Sequence, residues 1–155
     1  MEKHTRTSAT FLASLTCEVK LPGLNDYIDA CRRNRYAANN MKHQAQADLS
    51  WFLRRMPEIT KPVWIRFTWT EKDRRRDPDN IAFGKKFILD AMVRMGKLKN
   101  DNQTWILGFE DRFQRGPEYK VEMEIYEYGP AAASETAADN GDPSRSGEGG
   151  KSRRW

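Results

Sequence analysis

Alternation of apolar and polar residues is the clearest pattern in the chain, and it predicts strands. In "KPVWIRFTWTE" (residues 61–71) every second side chain is apolar and shares one side: Val63, Ile65, Phe67 and Trp69. The stretch "YKVEMEIYEY" (residues 119–128) alternates in the same way. Because successive side chains of a strand point to opposite faces, both stretches predict strands with one buried face. Two further strands are predicted at "FLASLTCEVKL" (residues 11–21) and "TWILGFE" (residues 104–110).

Helical spacing predicts three helices between these strands. A short helix through residues 27–34 would be capped by Asn25 or Asp26, and a longer one covers roughly residues 37–56. The third spans residues 78–95, with Asp77-Pro78 as its start signal. The order of these elements predicts an α+β domain over residues 1–128, in which two main helices cover a small mixed sheet of about four strands.

The third helix is predicted to have two different faces. Its core stripe consists of Ile81, Ile88, Met92 and Met95, with Gly84 and Ala91 beside it. At 100° per residue, the opposite side carries Asp79, Phe83, Lys86 and Asp90. The helix therefore places a lysine and two carboxylates on its exposed face.

Composition changes after residue 128. Residues 129–155 are mostly Gly, Ala, Ser and small polar residues, which predicts a disordered tail because they cannot bury enough apolar surface to offset chain entropy. The chain has no apolar run that could cross a membrane and no export signal. Its two cysteines, Cys17 and Cys31, are expected to be reduced thiols, which together with these absences favours a cytoplasmic protein.

Positive charge is concentrated in one part of a chain whose net charge is +5. Between Arg32 and Arg76 there are twelve Lys/Arg and four Asp/Glu residues, which is typical either of a phosphate-backbone binder or of a solubilising face. The candidate phosphate contacts are Arg32, Arg33, Arg35, Lys42, Arg74, Arg75 and Arg76. The candidates for stacking on unpaired bases are Tyr27, Tyr36 and Trp64, although Tyr36 and Trp64 also fit a core or an interface.

Two aspartates follow these arginines directly. Asp77 fits a helix cap and Asp79 fits the first helical turn, but a cap needs only one carboxylate. The spacing of i and i+2 also lets both carboxylates converge on a hard divalent cation. Asp101, in "KLKNDNQTW", is either a turn residue or a third acid that folds back towards the first two. The second alternative predicts metal-assisted phosphodiester hydrolysis.

The stretch "DPDNIAFGKKFILDAM", together with "NDNQ" further on, is similar to the RusA family of Holliday-junction resolvases. The family pattern is D-x-D-N, then K-x-x-x-D-A-[LM] on a helix, then an acid pair before a strand, and the match covers residues 77–103. The resemblance implies a RusA-like fold and a bacterial or prophage-encoded endonuclease of DNA recombination and repair. Such an enzyme uses Mg²⁺, with Mn²⁺ as a substitute, and acts as a homodimer that nicks opposing strands of a four-way junction.

The resemblance also implies roles for individual residues. Asp77, Asp79 and Asp101 match the metal carboxylates, and Lys86 matches the catalytic lysine, with Lys85 as the alternative. Asn80 would orient a carboxylate or cap a helix, and Asp90 would support Lys86. Asn100 stands where the family has the first acid of its pair, which leaves a non-cleaving branched-DNA-binding module as a second hypothesis. A small-molecule phosphohydrolase is a third, although the basic segment is long for a small substrate.

Overall fold

The protein forms one mixed four-stranded sheet in a computed structural model that describes residues 7–130. The strands are β1 (Thr7–Cys17), β2 (Val63–Glu71), β3 (Ile106–Arg115) and β4 (Lys120–Pro130), and their order in the sheet is β1-β4-β2-β3. β4 is antiparallel to both β1 and β2, whereas β2 and β3 are parallel. The predicted α+β class with a small mixed sheet of four strands is confirmed.

Four helices accompany the sheet in the described part of the chain: α1 (Leu24–Arg33), α2 (Arg35–Leu53), α3 (Pro78–Ala82) and α4 (Lys85–Arg94). α3 and α4 lie in the connection between β2 and β3, since parallel strands need a long crossover. The longer helices α2 and α4 contribute buried side chains to the same core as the sheet, including Leu49, Leu53, Ile88 and Met92. One face of the sheet is therefore covered by helices.

The core lies between these helices and the apolar face of the two central strands. Val63, Ile65 and Phe67 of β2 are completely buried, and Met123 and Ile125 lie beside them on β4. Burying one such side chain stabilises the fold by about 1.5–3 kcal/mol. The predicted inward faces of both strands are thus confirmed.

The predicted third helix is two helices. After α3 the hydrogen bonds tighten: Gly84 N–H donates to the Ile81 carbonyl at 3.0 Å, and Phe87 N–H donates to the Gly84 carbonyl at 3.1 Å. A Cβ at Gly84 would lie 3.2 Å from the ring of Trp69, so glycine lets this turn approach the sheet closely. Phe83 was expected on the polar face but packs on Tyr27, with ring centroids 5.4 Å apart, because the break turns it towards α1.

Several boundaries also differ from their predictions. β1 begins and ends four residues earlier than predicted, and β3 continues five residues beyond Glu110. β4 includes residues 129 and 130, so the ordered part passes the predicted limit at residue 128, while the rest of the predicted tail lies outside the described residues. No helix within residues 7–130 has the length and apolarity needed to cross a membrane.

Both cysteines are free thiols, as expected. Cys17 is buried at the end of β1, and burial raises the pKa of its thiol to about 12. Because the thiolate is the reactive form, Cys17 acts as a small apolar residue of the core. Cys31 is exposed on α1.

The second face of the sheet carries a cross-strand charge network. Arg66 on β2 lies opposite Glu110 on β3 and Glu124 on β4 in the strand register. The Arg66 Nε donates to Glu110 at 2.9 Å, and its Nη1 donates to Glu124 at 3.4 Å. Hydrogen bonds from Arg66, and then from Arg112, lower the pKa of Glu110 below its ordinary value. This network joins the three adjacent strands β4, β2 and β3.

We expect Glu110 to make the stability of the fold depend on acid pH. A lowered folded-state pKa means that Glu110 stabilises the fold above its unfolded pKa of 4.5 and loses this contribution as pH falls through the folded value. The substitution Glu110→Gln should lower the free energy of unfolding at neutral pH and reduce its decline below about pH 5. Urea unfolding at a series of pH values measures both effects.

The exposed Glu18→Gln is the matched control for this experiment. If the free energy of unfolding declined as steeply below about pH 5 in the Glu110 variant as in the wild type, the stabilising role of the cross-strand network would be contradicted.

Candidate functional site

Asp77 and Asp79 are both exposed at the start of α3. Asp77 occupies the N-cap position with extended backbone angles (φ −73°, ψ 156°), but its carboxylate makes no capping hydrogen bond. Within residues 7–130 neither carboxylate forms a side-chain hydrogen bond or an ion pair. Capping therefore does not account for the pair, and both carboxylates are accessible to a ligand.

The loop before Asp77 is held by Arg76. Its guanidinium binds both carboxylate oxygens of Glu71, and its Nη1 donates to the Leu21 carbonyl at 2.8 Å. The Arg76 and Glu71 side chains are only 14% and 10% exposed, so neither charge has solvent as an alternative partner. The predicted contact between Arg76 and DNA phosphate stays a prediction, although three of the guanidinium N–H donors already bind Glu71 and Leu21 within the fold. The contribution of Arg76 is to fix the strand-to-helix connection.

Arg74 and Arg75 remain exposed on the same loop. The Arg75 guanidinium lies 3.7 Å from Asp73 but is 88% exposed, which makes it a weak surface pair. Arg74 lines the same cleft as Asp77, a cavity of about 490 Å³ that also touches Phe113 and Arg115 of β3. Two of the three predicted arginines are therefore free to meet phosphate beside the acids.

Asn80, which directly follows Asp79, connects α3 to α1. Its Oδ1 accepts a hydrogen bond from the Asn25 N–H at 3.0 Å, so it satisfies a donor in the first turn of α1. A Cβ at Gly23 would lie 2.3 Å from this oxygen, which only glycine avoids. Asn80 thus serves α1, and neither role predicted for it, orienting a carboxylate or capping its own helix, is formed among residues 7–130. The N-cap of α1 is Gly23 rather than Asn25 or Asp26, and the Gly23 N–H donates to Asp26 at 2.8 Å.

The two adjacent lysines of α4 point to different surroundings. The Lys85 ammonium binds Asp111 of β3, whose second oxygen accepts from Trp69 Nε1 at 2.9 Å. Only 19% of the Lys85 side chain is exposed, against 49% for Lys86. Lys85 therefore joins α4 to the sheet, and Lys86 is the lysine that can meet a substrate.

Asp90 is shared between two lysines. Its Oδ2 lies 3.4 Å from the Lys86 ammonium and 3.2 Å from that of Lys42 on α2. The contact expected between Asp90 and Lys86 is present. Lys42, predicted to bind phosphate, is 43% exposed and already neutralised in part by this carboxylate.

Asp101 lies in a different cleft from Asp77. This cleft has a volume of about 460 Å³ between α2 and α4, and its polar lining includes Lys42, His43, Gln46, Asp90 and Arg94. Within residues 7–130 no three or more His, Cys, Asp or Glu side chains are arranged to hold a metal ion. The expectation that Asp77, Asp79 and Asp101 meet within one chain is therefore not met.

The sheet explains this separation. Asp77 follows the carboxyl end of β2, whereas Asp101 precedes the amino end of β3, and these two strands are parallel. The two residues thus lie beyond opposite ends of the β2–β3 pair. The nine residues of β2 span roughly 26 Å between those ends.

The remaining predicted DNA contacts lie around α1 and α2. Arg32, Arg33 and Arg35 are exposed where the two helices meet, and Arg32 lies 3.8 Å from Asp29. Tyr36 is 78% exposed. Tyr27 packs on Phe83 and Phe87, and Trp64 packs on Tyr126 with ring centroids 5.4 Å apart. Of the three predicted stacking aromatics, Tyr36 alone presents most of its ring to solvent.

Four polar residues in or near these clefts were not predicted from the sequence. Glu71 and Asp111 bind Arg76 and Lys85, but each lies at a strand position where alternation predicts an apolar side chain. His43 and Gln46 line the Asp101 cleft. Their polar spacing on α2, at i+3 within one helical face, was the available signal.

No protein-family model matches the chain, and no curated protein matches it.

Proposed function

We propose that the protein is a divalent-metal-dependent endonuclease that cleaves branched DNA, with the four-way junction as its substrate. The observation that carries this proposal is the pair of exposed carboxylates Asp77 and Asp79, which the protein leaves without internal partners. Carboxylates in this state attract Mg²⁺ or Mn²⁺, and the exposed Arg74 and Arg75 beside them attract phosphate. The resemblance of residues 77–103 to the RusA family supports the same substrate.

A second copy of the chain completes the acid set in this proposal. β3 is an edge strand whose outer side has no partner among the described residues. It also exposes large apolar side chains, with Leu107, Phe109 and Phe113 exposed by 50%, 42% and 41%. An open strand edge with exposed aromatics is a favoured surface for self-association.

Two-fold symmetry would bring the separated acids together. In an antiparallel contact between two β3 strands, the amino end of one strand lies beside the carboxyl end of the other. Phe113 and Arg115 at the carboxyl end of β3 line the Asp77 cleft. The partner's Asp101, which precedes the amino end of its β3, would then approach Asp77 and Asp79. A homodimer therefore has two equivalent composite sites, one for each of two opposing strands.

Each group has a defined task in this reaction. Asp77, Asp79 and the partner's Asp101 would hold the divalent metal, which would supply an activated water and stabilise the leaving oxygen. Arg74 and Arg75 bind the phosphates that flank the cleaved bond. Lys86, held by Asp90 at 3.4 Å, neutralises the charge that develops on the attacked phosphate. Arg76 and Asn80 keep the two carboxylates in place without touching the substrate.

A branched-DNA-binding module without cleavage is the second candidate. The absence of a three-acid group within residues 7–130 favours it, as does Asn100 beside Asp101. Incubation of the protein with a synthetic four-way junction and Mg²⁺ or Mn²⁺ separates the two candidates. Paired nicks in opposing strands support the nuclease, and a gel shift without nicks supports the binding module.

The substitution Asp79→Asn should abolish cleavage and preserve junction binding. Loss of one metal ligand is expected to lower the cleavage rate by about 10²–10³-fold, a loss typical of a single transition-state contact. Binding should be equal or tighter because a negative charge near phosphate is removed. Cleavage rates and electrophoretic shifts in parallel measure both, with the exposed Glu58→Gln as the control. Full cleavage by the Asp79 variant would refute the metal assignment.

The lysines should differ in which property each substitution changes. Lys86→Ala should lower the cleavage rate with little change in Tm, because Lys86 is exposed. Lys85→Ala should lower Tm, because it leaves the largely buried Asp111 carboxylate without its cation. Thermal unfolding and single-turnover cleavage of both variants test this division, and the reverse ranking of cleavage rates would show that Lys85 is the catalytic lysine.

Mixing two inactive variants tests the composite site. Asp79→Asn and Asp101→Asn should each be inactive alone. A heterodimer would combine the intact Asp79 of one chain with the intact Asp101 of the other in one of its two sites. After mixing and refolding we expect about a quarter of the wild-type site activity, since half of the dimers are mixed and each has one intact site. No recovery would mean that the acids act within one chain.

A further inference from the structure

The corner between α1 and α2 is a rigid element of the fold. One residue, Asn34, separates the two helices, and its backbone is extended (φ −175°, ψ 167°). Its side chain accepts from the Ala37 N–H at 2.8 Å, and its own N–H donates to the Ala30 carbonyl at 3.2 Å. Asn34 thus ends one helix and caps the next, so the residues beside it have fixed directions.

Tyr36 projects from this corner. Its side chain is 78% exposed, more than any other large apolar or aromatic residue of residues 8–129, and no other ring packs on it there. Burial of aromatic surface is favourable, so a ring face this open gains free energy when a flat ligand covers it. The ring face is available to a flat ligand.

The surroundings of Tyr36 are basic. Arg32 and Arg33 end α1 and Arg35 begins α2, so three exposed arginines lie within four residues of Tyr36 in the chain. In the sequence no acidic residue occurs between Asp29 and Asp48. An aromatic face among arginines combines a stacking platform for a base with donors for the phosphates on either side.

Tyr36 also lies in line with the Asp101 cleft. Asn39 and His43 follow it at i+3 and i+7 on the same face of α2, and both line that cleft. Seven residues of helix correspond to roughly 10 Å between Tyr36 and His43. The cleft is polar, lined by Lys42 and Arg94 together with the carboxylates of Asp90 and Asp101. A phosphate on its basic side would continue towards the tyrosine ring.

We infer that Tyr36 stacks on an unpaired base of a DNA strand, while Arg32, Arg33 and Arg35 bind the adjoining phosphates. The inference rests on the proposed DNA substrate and adds the means by which the protein distinguishes branched DNA from duplex. In a continuous duplex the bases are stacked on each other and offer no free face. At a branch point an unpaired base can leave the stack and cover the tyrosine ring.

The test uses the full chain without divalent metal, so that cleavage plays no part. The probes are a blunt duplex and the same duplex with an internal single-stranded gap, which contains 2-aminopurine. Wild-type protein should prefer the gapped probe and should quench the 2-aminopurine fluorescence by stacking. Tyr36→Ala should lose roughly 5- to 100-fold in affinity for the gapped probe, as expected for one stacked base, and keep its affinity for the duplex. Tyr36→Trp should retain both properties.

Trp51→Ala is the matched control, because Trp51 is an exposed aromatic on the same helix with the Arg54 guanidinium 3.7 Å from its ring centre. It should leave the preference unchanged. Arg33→Ala should weaken binding of both probes by a similar factor, as a phosphate contact does. Absence of quenching, or equal losses on both probes for Tyr36→Ala, would overturn the inference. Neither result depends on cleavage, so the nuclease proposal stands or falls separately in the junction assay with metal.

Discussion

Parallel pairing of β2 and β3 is the constraint on which the arrangement of the acidic residues depends. The chain leaves β2 at one end of the sheet and enters β3 at the other, with α3 and α4 in between. The residues directly after β2 are therefore distant from the residues directly before β3. Asp77 and Asp79 belong to the first class and Asp101 to the second. A site that uses all three must combine the two ends of the strand pair, which one copy of the chain does not do.

The acidic pair itself is held without using its carboxylates. Arg76 connects the loop to Glu71 and Leu21, and Asn80 connects the start of α3 to α1 through the space that Gly23 leaves. Removing one member of a largely buried ion pair such as Arg76–Glu71 typically costs about 3–5 kcal/mol, because the other charge is left buried without a partner. The internal hydrogen bonds and ion pairs are thus made by Arg76 and Asn80, the neighbours of Asp77 and Asp79, and not by the two aspartates. Such an arrangement is typical of residues that meet a ligand rather than stabilise a fold.

The sequence predicted those features that depend on local periodicity. The alternation in β2 and β4 gave their buried faces, and helical spacing gave α2 and the core stripe of α4, because these patterns are set by which side faces the core. The break at Phe83–Gly84 was missed, since it depends on the approach of Gly84 to Trp69 from a distant strand. The pairing of Lys85 with Asp111 was missed for the same reason, whereas the pairing of Arg76 with Glu71 is local but has no distinctive sequence pattern. Arginines next to aspartates look alike in sequence whether their partners are phosphates or a glutamate five residues earlier.

Two sets of ion pairs within residues 7–130 differ in how strongly dissolved ions screen them. Arg76–Glu71 and Lys85–Asp111 are shielded from water on most sides, so dissolved ions screen them little. Lys42 and Lys86 share the Asp90 carboxylate, and because their own side chains are 43% and 49% exposed, dissolved ions reach both ammonium groups. Added salt therefore acts on the contacts between α2 and α4 at the cleft well before it acts on the architecture beneath them. Salt concentration therefore changes the charge interactions at the cleft but leaves the ion pairs that hold the fold largely unchanged.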